Sequence, residues 1–210
     1  MNMIVFGATG PTGREVVRQG LELGRDVTAF VRDPSALELE DAHLQVLKGD
    51  VIDPDTVIAA LAGQDAVVSA LGSHSRKGPV TVYSVGMANI LKGMAVHGVR
   101  RIVCVSAGGV GNPKDPNLPW VYRKIILGGF MKEICADMER MEKLIQAGGT
   151  EWTIARPVGL SDEPLTAEYR VAEGTSLPHG SRISRADLAA FLLKAVRSPE
   201  YVRKAVAIAY

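Results

Sequence analysis

An α/β fold built on a doubly wound parallel sheet is predicted by three observations. Short apolar runs alternate with amphipathic helical stretches along nearly the whole chain. The first run, residues 3–6, passes into three glycines at three-residue spacing, Gly7, Gly10 and Gly13, and directly on into a helix. A second run follows within about thirty residues, as a βαβ unit requires. With 47% hydrophobic residues in a chain of 210, a single domain can bury the core these elements imply.

Each element has its own justification. Pro11 stands at the first helical position, where its missing N–H would have no partner anyway, and residues 14–23 continue as the first helix. The amides of that first turn point, with the positive end of the dipole, into the crevice above the strand, which suits a pyrophosphate. Gly7 permits the sharp turn, Gly10 admits a phosphate to the backbone, and Gly13 lets the helix lie close on the sheet. Thr9 and Thr12 add hydroxyl donors. A glycine-rich turn is also an ordinary tight connection; its place between strand and helix favours a dinucleotide and a Rossmann-like fold.

The second strand, residues 26–31, ends at Arg32 and Asp33. A carboxylate there accepts from the ribose hydroxyls of NAD, whereas a cation accommodates the 2′-phosphate of NADP. Arg32 favours NADP; Asp33 is left either to make the NAD-type contact or to pair with Arg32. The third strand, 43–47, leads to Asp50 and Val51, which would flank an adenine, a turn being the plainer role for Asp50. Asp53 is the N-cap candidate of the next helix. The nearly all-apolar run 65–71 reads as a central strand and runs into Gly72-Ser73-His74-Ser75, small enough to let the backbone approach a ribose. A helix over 80–97, a strand over 101–105 ending in Ser106, a helix over 131–147 and a strand over 151–155 follow. Residues 161–180 read as loop-rich, with Leu165, Tyr169 and Leu177 as candidate pocket walls. Ser184 should cap a helix over 184–196, and 202–209 should form an edge strand.

Composition excludes several classes. A formal net charge of +1 gives no general attraction to nucleic acid or anionic membrane, and pairs such as Arg100 with Arg101 read as solvated surface. No apolar run is long enough to span a bilayer, so a cytoplasmic protein is expected. Cys104 and Cys135 read as reduced core residues, and Met131, Met138 and Met141 as core. His43, His74, His97 and His179 lack metal-ligand spacing, so no metal site is expected. Trp120 and Tyr122 fall in a connection above the expected acceptor pocket.

The segments FGATGPTG at 6–13, FVRDPSAL at 30–37, GDVID at 49–53, AGQDAVVSALGS at 62–73, VGMANILKGMAVHGVRRIVCVSA at 85–107 and DEPLTAEY at 162–169 carry a resemblance. Together they resemble the atypical short-chain dehydrogenase/reductases, and among them the small NADPH-dependent flavin reductases of the biliverdin reductase B type. The resemblance implies NADP as cofactor, held by Gly7, Thr9, Gly10, Pro11, Thr12, Gly13, Arg32, Asp50, Val51, Ala70, Leu71, Gly72, Ser73, Ser106, Pro157 and Val158. It implies that Ser106 lies near the nicotinamide as the candidate catalytic residue, its plainer role being that of a turn-capping residue at a strand end. Residues 156–182 would form the acceptor-pocket segment.

Departures from the family pattern shape the expected activity. Dehydrogenases acting on ketones use a Tyr-x-x-x-Lys pair to place a proton; here Tyr122 is followed four positions later by Ile126, and Met138 stands where the lysine would align. Hydride reaching a flavin leaves a delocalised charge that water can protonate later, so a flavin, quinone or similar planar acceptor is expected. Val158 stands where the tetrapyrrole-reducing member has histidine, which argues against biliverdin. Arg156 would bind an acidic acceptor or serve as a structural ion-pair partner. The remaining expectations are a small-molecule partner, a monomer or weak homodimer, and, as the alternative, a non-enzymatic NADP(H)-binding sensor.

Overall fold

The computed structural model describes residues 1–73, 80–112, 114–118, 131–174 and 176–210. His74, Trp120 and Tyr122 lie outside the described residues. In chain order the elements are β1 (Asn2–Phe6), α1 (Pro11–Glu22), β2 (Asp26–Val31), β3 (Leu44–Lys48), α2 (Pro54–Ala60), β4 (Ala66–Ser69), α3 (Val82–His97) and β5 (Arg101–Val105). They continue with α4 (Lys132–Ala147), β6 (Glu151–Pro157), β7 (Gly159–Ser161), β8 (Arg170–Glu173), β9 (Arg182–Ser184), α5 (Arg185–Arg197) and β10 (Lys204–Ala209).

Eight strands form one sheet in the order β3-β2-β1-β4-β5-β6-β10-β8, parallel throughout except for the β10–β8 pair. The chain steps outward from β1 to β3 and then returns to the other side of β1, so the order reverses between β1 and β4. Such a fold is Rossmann-like, and a crevice opens beyond the strand ends at that reversal. Alternation explains the layering. Met3 and Val5 face α1 and α5, whereas Ile4 and Phe6 face α2, α3 and α4, and all four are fully buried. Asp53 and Ser184 cap α2 and α5 as expected, accepting from the amides of Asp55 and Asp187.

Three expectations are corrected. Residues 202–209 do not form the edge: β10 lies between β6 and β8, and β8 takes the edge. The apolar run of β10 fits a strand covered on both sides, and the four residues of β8 are too few and too mixed to register in a segment read as loop. The segment 156–182 accordingly holds the end of β6, all of β7 and β8 and the first residue of β9, with β7 and β9 pairing in a small second sheet. Arg101 is buried, not solvated. Its guanidinium donates to the carbonyls of Ala195 and Val196 at 2.6 and 3.3 Å and to Thr153 Oγ1 at 2.6 Å, closing the C-terminal end of α5. Arg100 does stay at the surface, 3.4 Å from Glu151. Cys104 is buried, as are Met138 and Met141, whereas Cys135 and Met131 are only half-buried.

At the opposite end of the sheet from the crevice, His43 Nδ1 lies 2.9 Å from Asp26 Oδ1. The bond to Asp26 holds the imidazole above its ordinary value, and the same bond holds Asp26 below the usual carboxylate range. A raised imidazole contributes stability that is fully present below the ordinary histidine range and fades as pH rises through the folded-state value. In an NMR titration His43 is expected to titrate above the ordinary histidine range and to fall back toward it in Asp26→Asn. An unchanged titration would show that the pair does not persist in water.

Candidate dinucleotide site

The crevice is built from six strand ends. At the end of β1, Gly7 takes φ +80°, and a Cβ there would lie 2.3 Å from the Ala70 carbonyl oxygen. A Cβ on Gly13 would lie 2.1 Å from the Gly7 carbonyl oxygen and 2.9 Å from Ala8 Cα. Both glycines are therefore demanded by the protein's own backbone. Gly10 differs: a Cβ there would meet only the Gly7 oxygen, at 3.3 Å, which leaves room on its outer side. Gly10 is also the N-cap of α1 and supplies no side-chain cap, with Pro11 following at the start of the helix. The helix terminus thus faces the crevice without an internal acceptor. Arg14 ties this turn to the next strand end, donating to the Thr9 carbonyl at 3.0 Å and the Ala36 carbonyl at 2.6 Å.

At the end of β2, Asp33 Oδ1 accepts from the Ser35 amide at 3.0 Å and the Ser35 hydroxyl at 2.7 Å. These two bonds hold Asp33 below the usual carboxylate range. Asp33 therefore caps a short 3-10 turn, Pro34–Ala36, and does not pair with Arg32. Arg32 is exposed and makes no hydrogen bond or ion pair among the described residues. Beyond β3, Asp50 does form a turn, its Oδ1 accepting from Ile52 N at 3.2 Å. Val51 is buried under α3, where a Cβ on Gly86 would lie 2.8 Å from its Cγ2. The end of β4 continues through half-buried Ala70 and Leu71, exposed Gly72 and half-buried Ser73, and Ala70 N donates to the Phe6 carbonyl at 2.9 Å.

The other side of the crevice gathers the ends of β5 and β6. Ser106 is buried; its amide donates to the Ala155 carbonyl at 2.8 Å, and its hydroxyl has no partner among the described residues. Gly108 N donates to the Pro157 carbonyl at 2.7 Å, and a Cβ on Gly108 would lie 2.7 Å from Val158 Cγ1. Through Gly108, two residues past Ser106, this strand end meets Pro157 and Val158. Arg156 is an ion-pair partner and not a free cation: Glu142, buried in α4, holds its guanidinium through two contacts, one of them Nε to Oε1 at 3.0 Å. Of the three expected pocket walls, Tyr169 instead packs edge-on against Phe191, with ring centroids 6.1 Å apart. Leu177 is buried and Leu165 half exposed.

Two residues in this region escaped the sequence reading. Arg14 read only as a helical residue. Asp187, buried at the start of α5, accepts from Thr166 N, Thr166 Oγ1, Ala167 N, Ser184 Oγ and Tyr210 Oη, at 2.7 to 3.3 Å. It holds Ala167, within the segment 156–182, at φ 60°. The Ser184-x-x-Asp187 spacing of a capping box was the available signal.

A dinucleotide fits this set. The uncapped helix end and the room at Gly10 suit a pyrophosphate, and among the described residues Arg32 has no ion-pair partner and the buried Ser106 hydroxyl no hydrogen-bond partner, which suits a phosphate and a polar ligand group.

Comparison with known proteins agrees. An uncharacterised chloroplastic protein of Arabidopsis thaliana is 29% identical over 98% of this chain and 75% of its own length. The oxidoreductase ptaF of Pestalotiopsis fici is 25% identical over 93% of this chain and 79% of its own. Among solved structures, ChuY, an anaerobillin reductase from Escherichia coli O157:H7, superposes with a TM-score of 0.82 at 22% identity, covering 100% of this chain and 97% of that one. A short-chain dehydrogenase/reductase from Veillonella parvula in complex with NADP gives a TM-score of 0.81 at 16% identity, covering 100% and 94%. At such identities the superpositions establish the fold. A family model described as NAD(P)H-binding matches residues 7–199, from the first glycine of the turn to beyond the end of α5, and the chain belongs to that NAD(P)H-binding family.

Proposed function

We propose that the protein is an NADPH-dependent reductase that passes hydride to a flat acceptor such as a flavin or a quinone. The observation that carries this reading is the acceptor end of the crevice. We assign to that end Ser106, whose buried hydroxyl has no partner among the described residues, and nowhere in the sequence is a tyrosine followed four positions later by lysine. Such an end can orient a nicotinamide but lacks the tyrosine–lysine pair that places a proton on an alkoxide. An acceptor that delocalises the incoming charge does not need one. When bound, NADPH supplies the hydride.

The protein's residues do the rest. The first amides of α1 hold the pyrophosphate, Arg32 the 2′-phosphate, and Asp50 with Val51 the adenine. Ala70, Leu71, Gly72 and Ser73 would hold the ribose side, and Ser106, Pro157 and Val158 would hold the nicotinamide end. Preference for NADPH rests on exposed Arg32 having no partner among the described residues while Asp33 is engaged by Ser35.

Anaerobic oxidation of NADPH with FMN, riboflavin and a quinone in turn, with NADH as control, tests the proposal. Turnover with NADPH above NADH for at least one acceptor is expected. Tight NADPH binding without turnover on any of them would overturn the reductase reading in favour of an NADP(H) sensor. Ser106→Ala is expected to lower kcat/KM by up to about tenfold, the worth of one neutral hydrogen bond. The same variant should keep or slightly raise the thermal midpoint, because it removes a buried hydroxyl that lacks a partner.

A further inference from the structure

The N-terminus of α3 is capped from outside its own segment. Thr81, at its N-cap, supplies no side-chain cap. Instead Asp137 of α4, fully buried, accepts from the amides of Tyr83 at 2.9 Å and Ser84 at 3.3 Å and from the Ser84 hydroxyl. Arg140 completes the arrangement, donating to Asp137 Oδ1 at 3.0 Å and to the Val80 carbonyl at 3.0 Å. The backbone of Tyr83 is thereby fixed, and its side chain returns toward the crevice, where its Oη accepts from the Ser73 amide at 3.0 Å. Burial raises the phenol above its ordinary value, so it remains neutral across the physiological range.

The same side of α3 reaches a second crevice segment. Gly86 leaves the space into which Val51 packs, and Asn89 Nδ2 donates to the Val51 carbonyl at 3.0 Å. Every third residue of α3, Tyr83, Gly86 and Asn89, thus meets a segment that the dinucleotide would touch. Three residues before Ser73, the Ala70 carbonyl abuts Gly7 of the phosphate turn.

We infer that Tyr83, held by Asp137, is a positioning residue for the dinucleotide, fixing the Ala70–Ser73 loop at the height the cofactor needs. This rests on the NAD(P)H-binding site and not on the choice of acceptor. Because that loop meets the part common to both cofactors, losing the phenol hydroxyl affects NADPH and NADH alike.

Titration of wild type and Tyr83→Phe with each nucleotide, beside thermal melts, tests it. The variant is expected to raise Kd for both by the same factor, about three- to tenfold, with the midpoint within about 2 °C of wild type because the ring is retained. Asp137→Asn should raise Kd in the same sense, and the double variant should lose no more than the larger single loss, since the two act in series. Unchanged affinity in Tyr83→Phe, a loss confined to NADPH, or a loss matched by a fall in stability would overturn the proposal. Failure of the wild type to bind either nucleotide would overturn the site reading itself.

Discussion

Gly13→Ala is expected to destabilise the protein by about 3 kcal/mol or more, a large share of the roughly 5–15 kcal/mol that holds a domain together. The added Cβ would sit 2.1 Å from the Gly7 carbonyl oxygen, 2.8 Å from its carbon and 2.9 Å from Ala8 Cα. All three are backbone atoms, so no side chain can swing aside. Relief requires α1 to lift off the sheet, and that would separate Val16 and Val17, both fully buried, from the core beneath α1 and α5. For a chain of this size the thermal midpoint should fall by about 6–12 °C. Gly10→Ala makes the informative contrast. Its Cβ meets one atom at 3.3 Å, so the fold should survive nearly intact while the space for a phosphate is lost. Denaturation and NADPH titration of both variants would separate the two roles. A wild-type midpoint for Gly13→Ala would refute the packing argument, and wild-type affinity for Gly10→Ala would refute the phosphate assignment.

That contrast also marks what could be read from the amino acids alone. The glycine turn, strands β1 to β6 and the caps at Asp53 and Ser184 follow from local spacing, because periodicity and capping act over a few residues. For Asp33 the sequence offers a ribose contact or a pair with Arg32, and the structure shows neither: Ser35, two residues on, occupies Oδ1 with its amide and hydroxyl. The misreadings share a different cause. Arg101 looked solvated because its partners on α5 lie 94 and 95 residues away. Tyr83 and Asp137 are 54 residues apart, and the position of β10 depends on pairing with two strands that the chain visits earlier. A buried polar side chain looks like surface until its distant partner is in place, so the polar residues inside this fold were the least legible ones. Arg156 was left between two roles for the same reason, and Glu142 decides it.

Arg32→Ala is expected to weaken NADPH by about tenfold or more and NADH hardly at all. A charged hydrogen bond contributes about 1.5–3 kcal/mol, equivalent to roughly one to two powers of ten, and the exposure of Arg32 places the effect toward the lower end. The neighbouring cation does not readily replace it, since Arg14 is committed to the Thr9 and Ala36 carbonyls. Asp33→Ala serves as the control. Because that carboxylate caps its own turn, removing it should disturb both cofactors equally and leave their ratio unchanged. Salt separates a phosphate contact from a merely local one. The Kd for NADPH should rise with ionic strength more steeply than that for NADH in the wild type, and the difference in slope should vanish in Arg32→Ala. Equal losses for the two cofactors, or a slope difference that persists in the variant, would remove Arg32 as the source of NADP preference and shift attention to Lys48 at the end of β3.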